Sequence, residues 1–589
     1  MRVPLSWLRE YVDVEVSPED LAARLTLLGM EVKGIERLGA DWSRVVVGEL
    51  LTVADHPNSD RLHLTTVRVG DDRPTLSIVC GAHNIAPGQR VPVAIPGSQL
   101  PGGRRIETAR LAGVESQGML CSGTELGLSD DAEGILILPP DSPVGIPLED
   151  LVGDTVLDVD VKPNRGDALS IIGLAREVAA ATGATVRWPV IEVTESGDAT
   201  REHLDVMVED PRCSRFVARW LDGVTVGPSP FAVQRRLIAA GVRPISNVVD
   251  ASNYVMLEVG KPIHTFDADG IRGARIVVRA ARPGERMTTL DHVERALDPE
   301  VLLIADDEGP LGLAGVMGGV ESEVGEGTSR VVVESAIFDP VSIRRTAFRF
   351  ALRSEASLRF EKGQEHRLAR WGADRTTQLI LSWAGGRAAT GVVDTAPTDP
   401  PLARVPFRPA RVSRLLGVDI PVAEQVELLA RVEVATVPAE PGDRVPITAA
   451  GLTADPGPDA LVAIVPPHRR DLAIEADVIE EVARVRGYET LPGSLPSTPM
   501  PGYRPDPRRL TDRLRGWLAG AGLTEVLTHG LIDPADHARL GIGPGDPATI
   551  VAGNPVTLDH SEMRRSLLPG LLHVLAGNQR LRRTDVAVF

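Results

Sequence analysis

The chain has 589 residues, with 63 Lys and Arg against 81 Asp and Glu, giving a net charge of −18. A length of this order predicts roughly four domains, each with its own core, and the acidic balance argues against a general nucleic-acid binder, since phosphate contacts need Lys or Arg. Cys80, Cys121 and Cys213 are too few for a disulfide framework and lack metal spacing, and no apolar run matches a signal h-region or a membrane span, so a cytoplasmic protein with core thiols is expected.

Ser17-Pro18-Glu19-Asp20 reads as a helix start, with Ser17 as N-cap and Pro18 at the first helical position. Leu21, Leu25 and Leu28 give that helix its buried face. After Gly39 the texture changes to short strands with dense turn residues, which is small β-barrel patterning. The phrases VVVGELL, HPNSDRLHL, IVCGAHNI, VPVAIPG, GVESQGMLCS and EGILIL stand there in order. In that order they resemble the OB-fold tRNA-binding module appended to several synthetases. Arg61, Arg68, Arg104, Arg105 and Arg110 are its candidate RNA contacts, and the scarcity of aromatics points to shape and backbone contact. Helical character resumes at 154–183, which suggests that the barrel interrupts one N-terminal domain. Asn164-Arg165-Gly166-Asp167 reads as a structural turn feeding a helix from Ser170.

Residues 205–400 form the largest block, again strand-rich, with GVRPISNVVDASNYVMLEVGKPIHTFD, LGLAGVMGGVESEV, VVVESAIFDP and LRSEASLRFEKG. These phrases resemble the editing domain of the β subunit of bacterial phenylalanyl-tRNA synthetase. Next, at 464–488, an extended Pro-bounded arm runs into a helix ending at Gly487. Val478, Val482 and Val485 recur at helical spacing as a buried stripe. Asp477, Glu480 and Glu481 fall on the opposite face, with Asp471 on the arm, so four carboxylates are expected to converge. On spacing alone a solvated acidic face is favoured over a Mg²⁺ site, because Asp477 sits in the first turn and Arg484 is spaced to neutralise Glu480 and Glu481. After Pro501 a helix with Leu510, Leu514 and Leu518 is expected to lead into a strand, TEVLTHGL. The chain stops at VAVF589, inside what reads as a buried strand, and so reads as a fragment.

The order of domains over the whole chain resembles that same β-subunit family. The resemblance implies a multidomain α+β fold: an N-terminal domain (1–39 and 153–200) interrupted by an OB-fold tRNA-binding barrel (40–152), a mixed α/β B3/B4 editing domain (205–400), a DNA-binding-like α/β B5 module (405–494) and an incomplete class II synthetase-like antiparallel domain (495–589). There is no Gly-rich P-loop, zinc spacing or Ser nucleophile elbow, so ATP and aminoacyl transfer have no candidate site. The resemblance assigns them to an α subunit within an α2β2 heterotetramer that acts on tRNA(Phe). It further implies editing of Tyr-tRNA, with His264 and Glu334 catalytic and Arg243, Asn247, Ser354 and Ala356 lining the pocket, although the family commonly has Thr where Ser354 stands. It also implies Mg²⁺ at Asp471, Asp477, Glu480 and Glu481, near the α subunit. The competing reading is a non-enzymatic tRNA-binding or assembly scaffold.

Overall fold

A computed structural model describes residues 1–128, 134–493, 495, 506–543 and 545–589; Pro501 lies outside them. The chain divides into two compact units, Met1–Pro492 and Gly493–Phe589.

In the first unit, chain ends distant in sequence share one small antiparallel sheet. Asp154–Asp160 lies between Arg2–Pro4 and Glu31–Leu38, with Val3 opposite Leu157 and Leu157 opposite Ile35. Ser17 accepts a hydrogen bond from the Asp20 N–H and caps the helix Pro18–Leu27, which buries Leu21 and Leu25. The helix Ile171–Thr182, capped by Ser170, packs its apolar residues into the same core. Between these parts, residues 43–120 contribute a separate six-stranded antiparallel sheet. All three cysteines are buried and unpaired.

The middle of the unit is layered around the strands Cys213–Asp222 and Arg330–Phe338, paired antiparallel. Alternate residues of a strand face opposite sides, and both sides here are apolar. Val331 and Val333 join the core shared with the helices Asn247–Val259 and Leu368–Ala384. Val332, Ala336 and Phe338 join a second core, shared with the five-stranded sheet whose central strand is Leu302–Ala305. Glu334 occupies a slot on that second side. Farther on, three strands, Arg404–Phe407, Leu461–Ile464 and Ala435–Pro438, carry the helices Val422–Arg431 and Glu475–Arg486.

The second unit holds the helices Arg509–Gly520 and Leu568–Arg580 and a two-residue pairing of Leu531–Ile532 with Glu562–Met563. The expected helix with Leu510, Leu514 and Leu518 is present, and all three are exposed. One expectation fails here: the stretch TEVLTHGL is not a continuous strand; Thr524 and Val526 instead exchange backbone hydrogen bonds with Ala587 and Phe589 in a parallel bridge.

Candidate functional site

His264 begins the strand His264–Asp267 and stands directly opposite Glu334 in the antiparallel ladder. Directly opposed residues project to the same side with Cβ atoms about 5 Å apart. Both line a pocket whose other walls include Ile263, Phe266, Val316, Met317, Gly318, Ala356 and Phe360. The His264 ring meets the Phe266 ring edge-on at 4.5 Å.

The walls are almost wholly apolar, and this sets the chemistry. Burial pushes the Glu334 carboxyl up to about 8, tempered by the nearby Lys261 cation. One Glu334 oxygen, Oε2, is buried without a hydrogen-bond partner among the described residues. Desolvation lowers His264 to about 4, so its imidazole is neutral at physiological pH.

Lys261 escaped the sequence reading. It is fully buried, it donates to the Ala336 carbonyl, and its ammonium lies 4.7 Å from the centre of the Phe360 ring. Burial lowers it to about 7, against the pull of Glu334 and Cys213. Its signal was a lysine inside an apolar run, VMLEVGKPIHTF, in a chain with four lysines in all. Gly318 was missed as well. A β-carbon there would stand 2.7 Å from Cε1 of His264, so the ring and the backbone of the MGG segment approach as only glycine allows.

The remaining expected lining residues separate. Ala356 is in the pocket. Ser354 is one step removed: its hydroxyl donates to the Val316 carbonyl at 2.8 Å and forms a reciprocal cap with Ser357, fixing the helix Glu355–Phe360 that carries Ala356. Arg243 and Asn247 do not line it. Arg243 is exposed, and the Asn247 side chain is spent on backbone groups, accepting from Gly227 N–H and donating to the Thr225 and Trp383 carbonyls.

The expected convergence of four carboxylates does not occur. Glu481 is buried and clamped by Arg469 and Arg484 at 2.5–2.7 Å. Arg469 also holds Asp471 through two hydrogen bonds of 2.8 and 2.9 Å. Asp477 accepts from the Ala473 and Ile474 N–H groups at the start of the helix. Glu480 faces solvent, and Arg484 pairs with Glu481 and Glu177 rather than with Glu480. Glu480 and Glu481, adjacent in sequence, lie 100° apart on the helix, which puts one outward and one inward instead of both on one face. Among the described residues no three His, Cys, Asp or Glu side chains are grouped to hold a metal, and the four acids do not fit a self-contained Mg²⁺ site. In the N-terminal six-stranded sheet, Arg68, Arg104 and Arg105 are ion-paired with Glu49, Glu125 and Glu107; Arg61 in that sheet and Arg110 in the separate pairing of Ala109–Leu111 with Val114–Ser116 are exposed.

Comparison with known proteins bears on the whole chain. Four domain families match in order: a putative tRNA binding domain at 45–147, a B3/4 domain at 212–385, a tRNA synthetase B5 domain at 405–488 and a phenylalanyl tRNA synthetase beta chain CLM domain at 491–589. Proteins named "Phenylalanine--tRNA ligase beta subunit" from Moorella thermoacetica and Anaeromyxobacter dehalogenans are 42% and 43% identical over all of this chain and 72% of their own length. The chain belongs to the phenylalanine-tRNA ligase beta subunit family. His264 and Glu334 both fall inside the B3/4 match of this family, and the carboxylates on the arm fall inside its B5 match. Among solved structures, an N-terminal fragment of the phenylalanyl-tRNA synthetase beta subunit from Pyrococcus horikoshii aligns with 58% of this chain and 93% of its own at 17% identity and a TM-score of 0.29. No described helix is long and apolar enough to cross a membrane.

Proposed function

We propose that this chain acts as the β subunit of a phenylalanine-tRNA ligase: it supports the ATP-dependent attachment of phenylalanine to its tRNA by an α subunit, binds tRNA, and hydrolyses mischarged Tyr-tRNA in the pocket of His264 and Glu334. The six-stranded N-terminal sheet is its OB-fold tRNA-binding module in this reading. The observation that carries the editing assignment is the unpartnered Glu334 oxygen in an apolar pocket.

A hydrophobic pocket cannot strongly reject an isostere that merely adds a hydroxyl, with discrimination on the order of 10², so a synthetase for phenylalanine needs a second sieve against tyrosine. A site that hydrogen-bonds the hydroxyl rejects the analogue lacking it by about 10⁴ or more, because its buried polar group is then left unpaired. Tyrosine would donate its phenolic hydrogen to Glu334, whereas phenylalanine would leave that carboxyl stranded. His264, neutral in this environment, takes a proton from water, directly or through the tRNA terminal hydroxyl it positions; the water oxygen bonds the tyrosyl carbonyl carbon, the ester C–O bond breaks, and the departing tRNA oxygen takes the proton back.

For Mg²⁺ the reading narrows to the outward carboxylates. Glu480 and Asp477, three residues apart on the helix, are the ligands that this chain offers, and the remaining oxygens would come from the partner subunit and water.

The test uses the assembled enzyme and Tyr-tRNA. Glu334→Ala should abolish the preference for tyrosine, and His264→Ala should slow hydrolysis by about 10²-fold while leaving aminoacylation intact. Clearance of mischarged tRNA at the wild-type rate by both variants would overturn the assignment.

A further inference from the structure

The helix Pro340–Arg349 has two faces of opposite character. Inward, Ile343 and Ala347 are buried in the same core as Val316 and Phe360, two walls of the pocket. Outward, Val341, Arg344, Arg345 and Phe348 follow i, i+3, i+4, i+7 spacing and share one exposed face. Phe348 is 90% exposed and Val341 55%. Such exposure forgoes the stabilisation that burying a phenylalanine supplies.

The charge on this face runs against the rest of the molecule. The chain is acidic overall, yet among the described residues no carboxylate lies within ion-pairing range of Arg344 or Arg345, although their neighbours Arg349 and Arg353 find Asp298 and Glu361. A groove of about 800 Å³ runs along the face, lined also by Pro163, Arg353, Glu361 and Lys362. After Arg349 the chain turns at Ala351, φ 52°, and reaches Ser354, which caps the helix carrying Ala356 into the pocket. The groove and the pocket thus lie on the two sides of one short segment.

We infer that this face docks the single-stranded end of an RNA, with a base stacked on Phe348 and backbone phosphates against Arg344 and Arg345. An aromatic ring beside free cations is the pairing that single strands require: the ring takes any base and the cations follow the backbone. The charged lining of the groove is four cations, Arg344, Arg345, Arg353 and Lys362, against the one carboxylate of Glu361, a balance that suits a polyanion. The inference deepens the editing reading, on which only the destination of the strand depends.

The experiment titrates the full chain, assembled with its α subunit, with a short fluorescent single-stranded RNA. Phe348→Ala should weaken binding by about tenfold, and the double change Arg344→Ala with Arg345→Ala should lower the log–log salt slope by about 0.7 per arginine removed. All three side chains are exposed, so the thermal unfolding midpoint should be unchanged. With Tyr-tRNA as substrate, the same variants should raise KM and leave kcat in place. RNA binding lost in the variants supports the docking surface even where wild-type enzyme fails to hydrolyse Tyr-tRNA, an outcome that sinks the editing reading alone. Unchanged RNA affinity in both variants overturns the inference, as does a loss of α-subunit association with RNA affinity intact.

Discussion

A methyl group at Gly318 would collide with the His264 ring, its β-carbon standing 2.7 Å from Cε1 and 2.9 Å from Nε2. Gly318→Ala should therefore displace the imidazole and reduce Tyr-tRNA hydrolysis toward the His264→Ala level, at a stability cost of about 1–3 kcal/mol for overpacking; deacylation kinetics and a denaturant midpoint together check this. The pH profile tests the same ring differently. Desolvation depresses His264 to about 4, so the imidazole stays a neutral base down to that pH. The acid limb of kcat for hydrolysis should fall near pH 4, well below the ordinary histidine range of about 6.5. A limb near pH 6.5 would mean that the ring is solvated in the working enzyme.

The two helices Ile171–Thr182 and Glu475–Arg486 are tied by a buried ionic network that neither could keep alone. Arg484 bonds Glu177 at 2.6 Å and Glu481 at 2.6 and 2.7 Å, while Arg165 reaches Glu177 from the turn before the first helix. Burial opposes ionisation of Glu481, but hydrogen bonds from Arg469 and Arg484 outweigh it and hold the carboxyl at about 2. A folded-state value below the unfolded one adds stability that is fully present above about pH 4.5 and lost as pH falls through 2. Arg484→Ala takes one of two guanidinium partners from each of two buried carboxylates, leaving Glu481 with Arg469 and Glu177 with Arg165, and should cost about 1.5–3 kcal/mol, read as a lower denaturant midpoint at neutral pH. A midpoint within experimental error of wild type would mean that the network is dispensable. Within the network Arg469, Asp471 and Glu481 build an internal clamp, and Glu480 faces the surface.

At the scale of the whole molecule, the proposed reading places the acylation machinery on the α subunit, and the expected contact with it is the arm and helix around Glu480. Glu480→Gln removes an exposed charge without disturbing the clamp, so it should leave thermal stability unchanged and reduce the Mg²⁺ dependence of association with the α subunit. Glu481→Gln should act through stability instead. Sizing each mixture over a Mg²⁺ series separates the two, and association indifferent to Mg²⁺ in wild type and variants alike would remove the metal from this surface.

Local chemistry was legible in the sequence wherever one segment decides its own conformation. Ser17 and Ser170 announce their helices because a hydroxyl at the N-cap satisfies a nearby N–H regardless of what surrounds it. The charge at Glu334 in VVVESAIF marks a polar group in a core strand, and the family resemblance gave His264 its partner. Whether a polar side chain is spent or free was not legible, since that depends on which groups the tertiary fold brings alongside it. Asn247 is consumed by Trp383, Glu481 by Arg469 and Arg484, and Glu334 keeps an oxygen unpaired because strand pairing encloses it with apolar walls. Helical periodicity gives the angle between neighbours and cannot say which side faces water; Arg469 and Arg484, the latter also paired with Glu177, hold Glu481 inward, and Glu480 is left outside.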